Sequence, residues 1–292
     1  MAVSLNTLAG RLEASKGLDV LADKVQGALS RLPLNAGMRS TLSGTWLGHP
    51  VHPLLVATPI GAWTSAALLD LFGERRAART LIGAGVVSVL PAALTGASDW
   101  LDTSGSERRI GAAHFASNMA AAAAYGGSWA LRRRYYRSGV ALSMVGAGAA
   151  IFSGWLGGHL AYAMGVGVDT NAFNVADIDW TPINVKVSQD TLVGASAGAS
   201  PLVVTRSSSS VHAIGGRCSH RGAPLSEGKL ADNCVTCPWH ASRFDMATGQ
   251  VVAGPAVAPQ PVYETRERDA GIEVRRHEER ALRTNSVQVT PA

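Results

Sequence analysis

The chain changes its hydrophobic pattern once, near residue 170. Before that point apolar residues run in four long blocks: Leu54–Leu71, Leu81–Ala97, Ile110–Leu131 and Gly139–Val168. Each is close to or above the ~17–25 residues that cross a bilayer. The third and fourth contain no Asp, Glu, Lys or Arg, and they abound in Gly, Ala and Ser, which let membrane helices approach closely. The pattern predicts an N-terminal all-α domain, a four-helix transmembrane bundle over residues 42–170. Trp63, Trp100, Trp129 and Trp155 fall mainly toward block ends, where interfacial anchors belong. Ahead of the first block, Leu5, Leu8 and Leu12, then Leu18, Leu21, Val25 and Ala28, recur at helical spacing. They predict an amphipathic tail within residues 1–41, lying on the membrane or on the bundle.

After residue 170 the segments shorten and alternate. Val185–Val187, Pro201–Thr205, Ser210–Gly215, Gln250–Val252, Val262–Arg266 and Gly271–Arg275 read as strands of a small antiparallel all-β domain over 185–276. Residues 171–184 read as a short tether, and 277–292 as a flexible tail. His212 lies within a strand as a surface or packing residue, and His277 sits in a charged run.

With 292 residues there is room for two domains. The formal charge is +5, and its basic residues are clustered. Arg132, Arg133, Arg134 and Arg137 stand between apolar blocks, which points to a membrane lipid surface rather than nucleic acid. No nucleic-acid motif is present. Three Cys exclude a disulfide framework. Met1 to Leu29 lacks the continuous apolar core of a cleavable signal peptide.

Charge also orients the bundle. Arg75, Arg76 and Arg79 follow the first block, and the four-Arg run follows the third. Both face the cytoplasm by the positive-inside rule. An even number of crossings then puts the N-terminal tail, the loop at 99–109 and the β domain on the non-cytoplasmic side of a multi-pass cell-membrane protein. The run at 132–137 also loosely resembles a twin-arginine export signal; the alternative is that these Arg only set topology.

That orientation gathers four histidines in one leaflet, on the side of the β domain. His49 and His52 precede the first block, His114 lies one turn into the third, and His159 lies near the exit of the fourth. Asp99 and Asp102 flank the same face, and Asn118 sits one turn below His114. Ionisable groups in membrane helices are functional candidates. Three readings stand: a b-type haem held by two His, a quinone head group or divalent metal, or hydrogen bonds that glue helices together.

The strongest chemical signal lies in the β domain. Cys218-Ser-His220 is followed, sixteen residues later, by Cys237-Pro-Trp-His240. Two Cys thiolates on one iron and two neutral imidazoles on the other are the ligand set of a Rieske-type [2Fe–2S] centre. A zinc site takes the same residue types, but its usual spacing pairs Cys with Cys and His with His. Gly215, Gly216 and Gly222 permit close backbone approach to sulfide, Pro238 stiffens the second loop, and the proline-rich run 254–261 walls one side. Cys234 reads as a buried thiol on a strand entering the second loop.

CSHRGAPL and CPWHASRFD, with the proline loop behind them, resemble the Rieske family over about Ile183 to Arg276. The resemblance implies metal ligation by Cys218, His220, Cys237 and His240. High-potential members carry two further Cys that tie the loops together; here Ala223 and Trp239 stand there. Ser242 matches a serine that supports the cluster in that class, and Phe244 replaces a tyrosine. The centre therefore resembles that of Rieske ferredoxins. GTWLGHPVHPLLVATPIGAW, SDWLDTSGSERRIGAAHFASN and GWLGGHLAYAMGVGVD resemble, over about Leu42 to Thr170, a four-span bacterial membrane family of unassigned function that is sometimes fused to a Rieske domain. Together these imply a membrane-anchored one-electron carrier, with an unidentified donor and acceptor, and with haem or quinone as candidate partners. It would be an electron-transfer protein or oxidoreductase subunit rather than a complete enzyme. The alternatives are a ferredoxin feeding a separate oxygenase, and a redox-sensing membrane scaffold. A complete Rieske oxygenase would need a 2-His-1-carboxylate iron site, and after His240 the chain has only His277 to offer.

Overall fold

The computed structural model describes residues 5–31, 33–173, 178–208, 210–268 and 271–276. His277 and the C-terminal tail read from sequence lie outside them. The chain divides into two compact units: Met1–Leu34 with Pro50–Val166, and Asn35–His49 with Gly167–Ala292. This grouping differs from the boundary read at residues 41 and 42, because the segment just before the first apolar block belongs with the β domain.

Among the described residues the α-helices are α1 (Leu5–Ala14), α2 (Gly17–Leu29), α3 (Ala36–Ser43), α4 (Val51–Leu71), α5 (Arg75–Trp100), α6 (Gly105–Leu131) and α7 (Tyr136–Gly158). A π-helical turn, His159–Ala163, extends α7. The four apolar blocks became α4 to α7. Among the described residues three helices are long and apolar enough to cross a membrane: α4, α5, and α7 with its π turn. At 27 residues α6 is as long, but it is built largely of Ala, Gly and Ser, which carry little apolar surface. The amphipathic tail forms α1 and α2, and it packs on the bundle. Leu21, Val25 and Leu29 meet Trp100 and Ala112, while Leu12 and Leu18 meet Ile110 and Leu156. Arg108 and Arg109 at the start of α6 pair with Asp19 at 3.3 and 2.9 Å. The Arg109 guanidinium holds the Asp19 carboxyl below its ordinary range.

The tryptophans correct the anchor reading. Trp63 and Trp100 are buried. Trp63 stacks on Tyr125 with ring centroids 3.9 Å apart and lies over Gly85 of α5. Trp100 lies over Gly111 of α6, and Trp129 over Gly83. A Cβ at Gly85 or Gly111 would overlap the indole, so the missing side chain is what admits the ring. Three of these four indoles therefore pack between helices.

Arg132 is the second correction. Counted as a loop charge, it is buried instead, its side chain 1% exposed. Nη1 and Nη2 meet Asp70 Oδ1 and Oδ2 at 2.5 and 2.6 Å. Nε and Nη2 also donate to Ser128 Oγ and Ser143 Oγ, both at 3.1 Å, and Tyr136 OH donates to Asp70 Oδ1 at 2.6 Å. One bidentate pair thus ties the end of α4 to the α6–α7 corner. Arg133, Arg134 and Arg137 remain exposed.

Among the described residues of the second unit, ten strands form two antiparallel sheets. They are β1 (Ile178–Ile183), β2 (Val193–Ala197), β3 (Ser200–Ser207), β4 (Ser210–Gly215), β5 (Lys229–Ala231), β6 (Cys234–Thr236), β7 (Arg243–Asp245), β8 (Val251–Ala253), β9 (Val262–Arg268) and β10 (Gly271–Arg276). The larger sheet runs β1-β10-β9-β4-β3-β2, the smaller β5-β6-β7-β8. On β3, Val203 faces one core and Leu202 and Val204 face the other, so the middle of the strand is apolar on both faces. The second half of the expected tether is β1, which adds an edge to β10. Val185–Val187 is not a strand; its valines pack against the second core from a loop.

Replacing Asp70 by Asn should cost about 3–5 kcal/mol, because Arg132 then keeps a buried charge without its counter-ion. Thermal unfolding of the detergent-solubilised protein measures it. The Asp70→Leu, Arg132→Met double variant should recover most of the loss; equal loss in both would mean the pair is not the stabilising unit.

Candidate metal centre

Three loops of the β unit converge on one end. Residues 216–228 connect β4 to β5, residues 237–242 connect β6 to β7, and residues 254–261 connect β8 to β9. The first two share one backbone design. Cys218 N–H donates to Ala223 O, and Gly222 N–H returns to Cys218 O, both at 2.8 Å. Cys237 N–H donates to Ser242 O at 2.8 Å, and Ala241 N–H returns to Cys237 O at 3.2 Å. The residue four after each Cys has positive φ, Gly222 at 74° and Ala241 at 60°. In consequence the N–H groups two and three residues after each Cys point at its sulfur: His220 and Arg221 at Cys218, Trp239 and His240 at Cys237. Oriented amides of this kind stabilise negative charge on sulfur.

The two sulfurs are close enough to share a proton. The hydrogen bond between them, ahead of burial, pushes the Cys218 thiol up. The same bond, with the amides of His240 and Trp239 and against burial, draws Cys237 down to about 6. The imidazoles form a second pair. The His220 and His240 rings stand edge to face, 5.1 Å between centroids. Burial, then the charges of His240, Arg221 and Arg39, holds His220 down to about 3, so it is neutral, the form that ligates metal. Both Nδ1 atoms are buried and, among the described residues, neither atom has a hydrogen-bond partner.

Sulfur beside sulfur and ring beside ring fit a two-iron core. Among the described residues no three His, Cys, Asp or Glu side chains gather as they would around a single ion. A tetrahedral zinc site would need all four donors on one point.

The surroundings explain several sequence features. Phe244 is fully buried in the core that backs both Cys, with Val203, Ile214, Leu225, Val235 and Met246, so no hydroxyl at that position reaches the loops. Gly216 is required by packing rather than by sulfide: a Cβ there would sit 2.8 Å from the Leu202 backbone. Ser242 is fully buried, and its Oγ accepts from Ala256 N at 2.9 Å, leaving its hydroxyl hydrogen to donate. Cys234 is a buried free thiol on β6. Sequence reasoning missed Ser219, whose Oγ donates to Ala258 O at 2.7 Å, and Thr170, whose Oγ1 donates to Cys218 O at 2.8 Å. Ser219, lying between two candidate ligands, carried a signal; Thr170 carried none.

The membrane histidines are placed differently. His49 is exposed and belongs to the β unit. His52 Nδ1 meets Ala92 O at 2.9 Å and packs against Gly96 of α5. His114 Nδ1 donates to Ser153 O at 2.8 Å, and Nε2 accepts from Asn118 Nδ2 at 3.0 Å, so both nitrogens are engaged. His159 Nε2 meets Glu13 Oε1 at 2.9 Å. Asp102 is buried near the start of α6.

Comparison with known proteins follows these two units. Residues 181–264 match the Rieske [2Fe–2S] domain. Residues 48–170 match a family described as predicted membrane protein, DUF2231. The anthranilate 1,2-dioxygenase ferredoxin subunit of Burkholderia cepacia is 35% identical over 98 residues, 33% of this chain and 91% of that protein. Ferredoxin CarAc of Metapseudomonas resinovorans is 34% identical over 77 residues, covering 26% and 72%. The solved ferredoxin of carbazole 1,9a-dioxygenase from Nocardioides aromaticivorans IC177 is 27% identical, with a TM-score of 0.31 over 34% of this chain and 97% of that one.

Ala241 stands where its twin loop has Gly222. An L-residue in the left-handed region costs about 1–2 kcal/mol. Ala241→Gly should therefore raise the unfolding midpoint of the cluster-loaded protein; a lower midpoint would mean that the methyl makes a contact worth more than the strain.

Proposed function

The chain belongs to the Rieske [2Fe–2S] family, and from that premise we propose that it is a membrane-anchored one-electron carrier. In this reading Cys218 and Cys237 hold one iron and His220 and His240 the other. When bound, the cluster supplies reversible one-electron chemistry. The chain supplies the rest. Four backbone amides meet the charge on the two ligand sulfurs. The core behind the loops excludes water from the sulfur side. Ser242 adds a hydroxyl donor from below. Trp239, 57% exposed and 6.4 Å from the His240 ring, marks the side where a partner protein approaches.

The observation that carries the reading is the paired loop geometry, with sulfur next to sulfur, ring next to ring, and two amides on each sulfur. Relatives that serve dioxygenases as ferredoxins support electron transfer as the task. The DUF2231 match and three membrane-length helices support anchoring. The exposed Arg133, Arg134 and Arg137 at one corner, with Arg75, Arg76 and Arg79 at the other, support a multi-pass arrangement of α4 to α7 with the β unit on the non-cytoplasmic side. The membrane histidines serve as hydrogen-bonding glue in this reading, since His114 has no nitrogen left for a haem iron. The rival reading, a ferredoxin that supplies a separate oxygenase, shares the cluster and differs in the partner.

Dithionite-reduced protein should give an EPR signal with average g below the free-electron value. His220→Ala and His240→Ala should each abolish it, and a spectrum of all-Cys ligation would sink the assignment. Ser242→Ala should lower the midpoint potential in an EPR-monitored titration. The visible spectrum of membranes holding the overexpressed protein, with iron and haem supplied, should lack a b-type haem band; a band lost in His114→Leu would restore the haem reading.

A further inference from the structure

The two chain segments that flank the helical domain in sequence both end on the cluster loops. On the entry side, Asn35–His49 folds with the β unit and runs into α4 at Val51. Ser40 Oγ accepts from Gly254 N at 2.9 Å, and Thr45 Oγ1 donates to Ala256 O at 3.0 Å. The fit is close: a Cβ on Gly254 would overlap Thr45 Oγ1 and lie 3.1 Å from Ser40 Cα. The proline loop held in this way holds both ligand loops in turn, through Ala256 N to Ser242 Oγ and Ser219 Oγ to Ala258 O. On the exit side, Thr170 Oγ1 donates to Cys218 O at 2.8 Å, Thr170 N to Ser219 O at 3.2 Å, and Asn171 Nδ2 to Arg217 O at 3.0 Å. Asn171 is buried. The expected tether therefore starts as part of the site.

We infer that Ser40, Thr45, Thr170 and Asn171 are positioning residues of the metal centre, so that both junctions to the membrane domain set the geometry and potential of the cluster. The inference rests on the ligand assignment proposed above. A passive linker has no reason to spend side-chain hydrogen bonds on a ligand's own carbonyl. The Thr170 hydroxyl places the positive end of its dipole beside Cys218, which favours the reduced state with its added negative charge. The entry segment acts one step further out, by fixing the loop on which Ser219 and Ser242 bear.

The test uses the full chain in detergent, loaded with cluster. Thr170→Val should move the midpoint to lower potential and change the g anisotropy, and Thr170→Ser should restore both. The Ser40→Ala, Thr45→Val double variant should lose cluster faster to a chelator. Thr191→Ala, at an exposed loop hydroxyl bonded to Ser188 O, serves as the unchanged control. Wild-type midpoint, spectrum and chelator resistance in the Thr170→Val and double variants would overturn the inference. So would equal loss in Thr170→Val and Thr170→Ser. Failure to load in Thr170→Val with normal loading in Thr170→Ser would support it. Absence of a Rieske spectrum in the unaltered protein would instead remove the ligand assignment, so the two failures are distinguishable.

Discussion

Negative charge on two buried sulfurs must be met by N–H donors, and the β unit is arranged around that requirement. An amide can aim at a Cys sulfur from two and three residues ahead only if the chain turns back sharply. The turn needs a left-handed residue four positions on, which is why Gly222 and Ala241 occupy matching places. A loop of that shape must leave and re-enter the sheets at fixed points. The short strands β5 to β8 supply those points, and the core behind them holds the floor. Cys218 and Cys237 are members of that core, so packing and ligand geometry are not separable here.

The helical unit answers a different constraint. In lipid, apolar side chains gain little by leaving the solvent, so close approach and buried polar partners must hold helices together. Indoles seated on glycines provide the first, and the Asp70–Arg132 pair with Tyr136, Ser128 and Ser143 provides the second. The histidines follow the same rule. His52 and His114 each spend a ring nitrogen on a carbonyl of a neighbouring helix. Both rings thus contribute to the packing of the helices.

Legibility followed the range of the signal. The four candidate ligands were readable because each Cys and its His lie two or three residues apart. The long helices were readable because their apolar runs exceed any alternative use. Of the three-residue strands, β8 is legible at Gln250–Val252 and β6 at Cys234, while β5 and β7 are too short to alternate. Arg132 was misread because a charge at the end of a span looks interfacial until its partner, Asp70, is brought to it by another helix, and Trp63, in mid-helix, shows its partner Gly85 only once α5 packs on α4. Thr170 and Ser40 left no trace because their partners, Cys218 O and Gly254 N, are backbone atoms far away in sequence. Backbone partners write nothing into composition or pattern.

The ferredoxin relatives sharpen what the added two-thirds of the chain does. A ferredoxin subunit is matched over 91% of its length by a third of this protein, so a cluster domain of that size is sufficient elsewhere. Here the segment before α4 and the segment after α7 are spent on the cluster loops instead of on reach. A carrier that must travel gains from a long free linker, because effective concentration is set by linker length and stiffness. A chain that binds both of its junctions to the metal site gives up that freedom. The hydrogen bonds of Ser40, Thr45, Thr170 and Asn171 therefore leave little of either junction segment free to act as a linker.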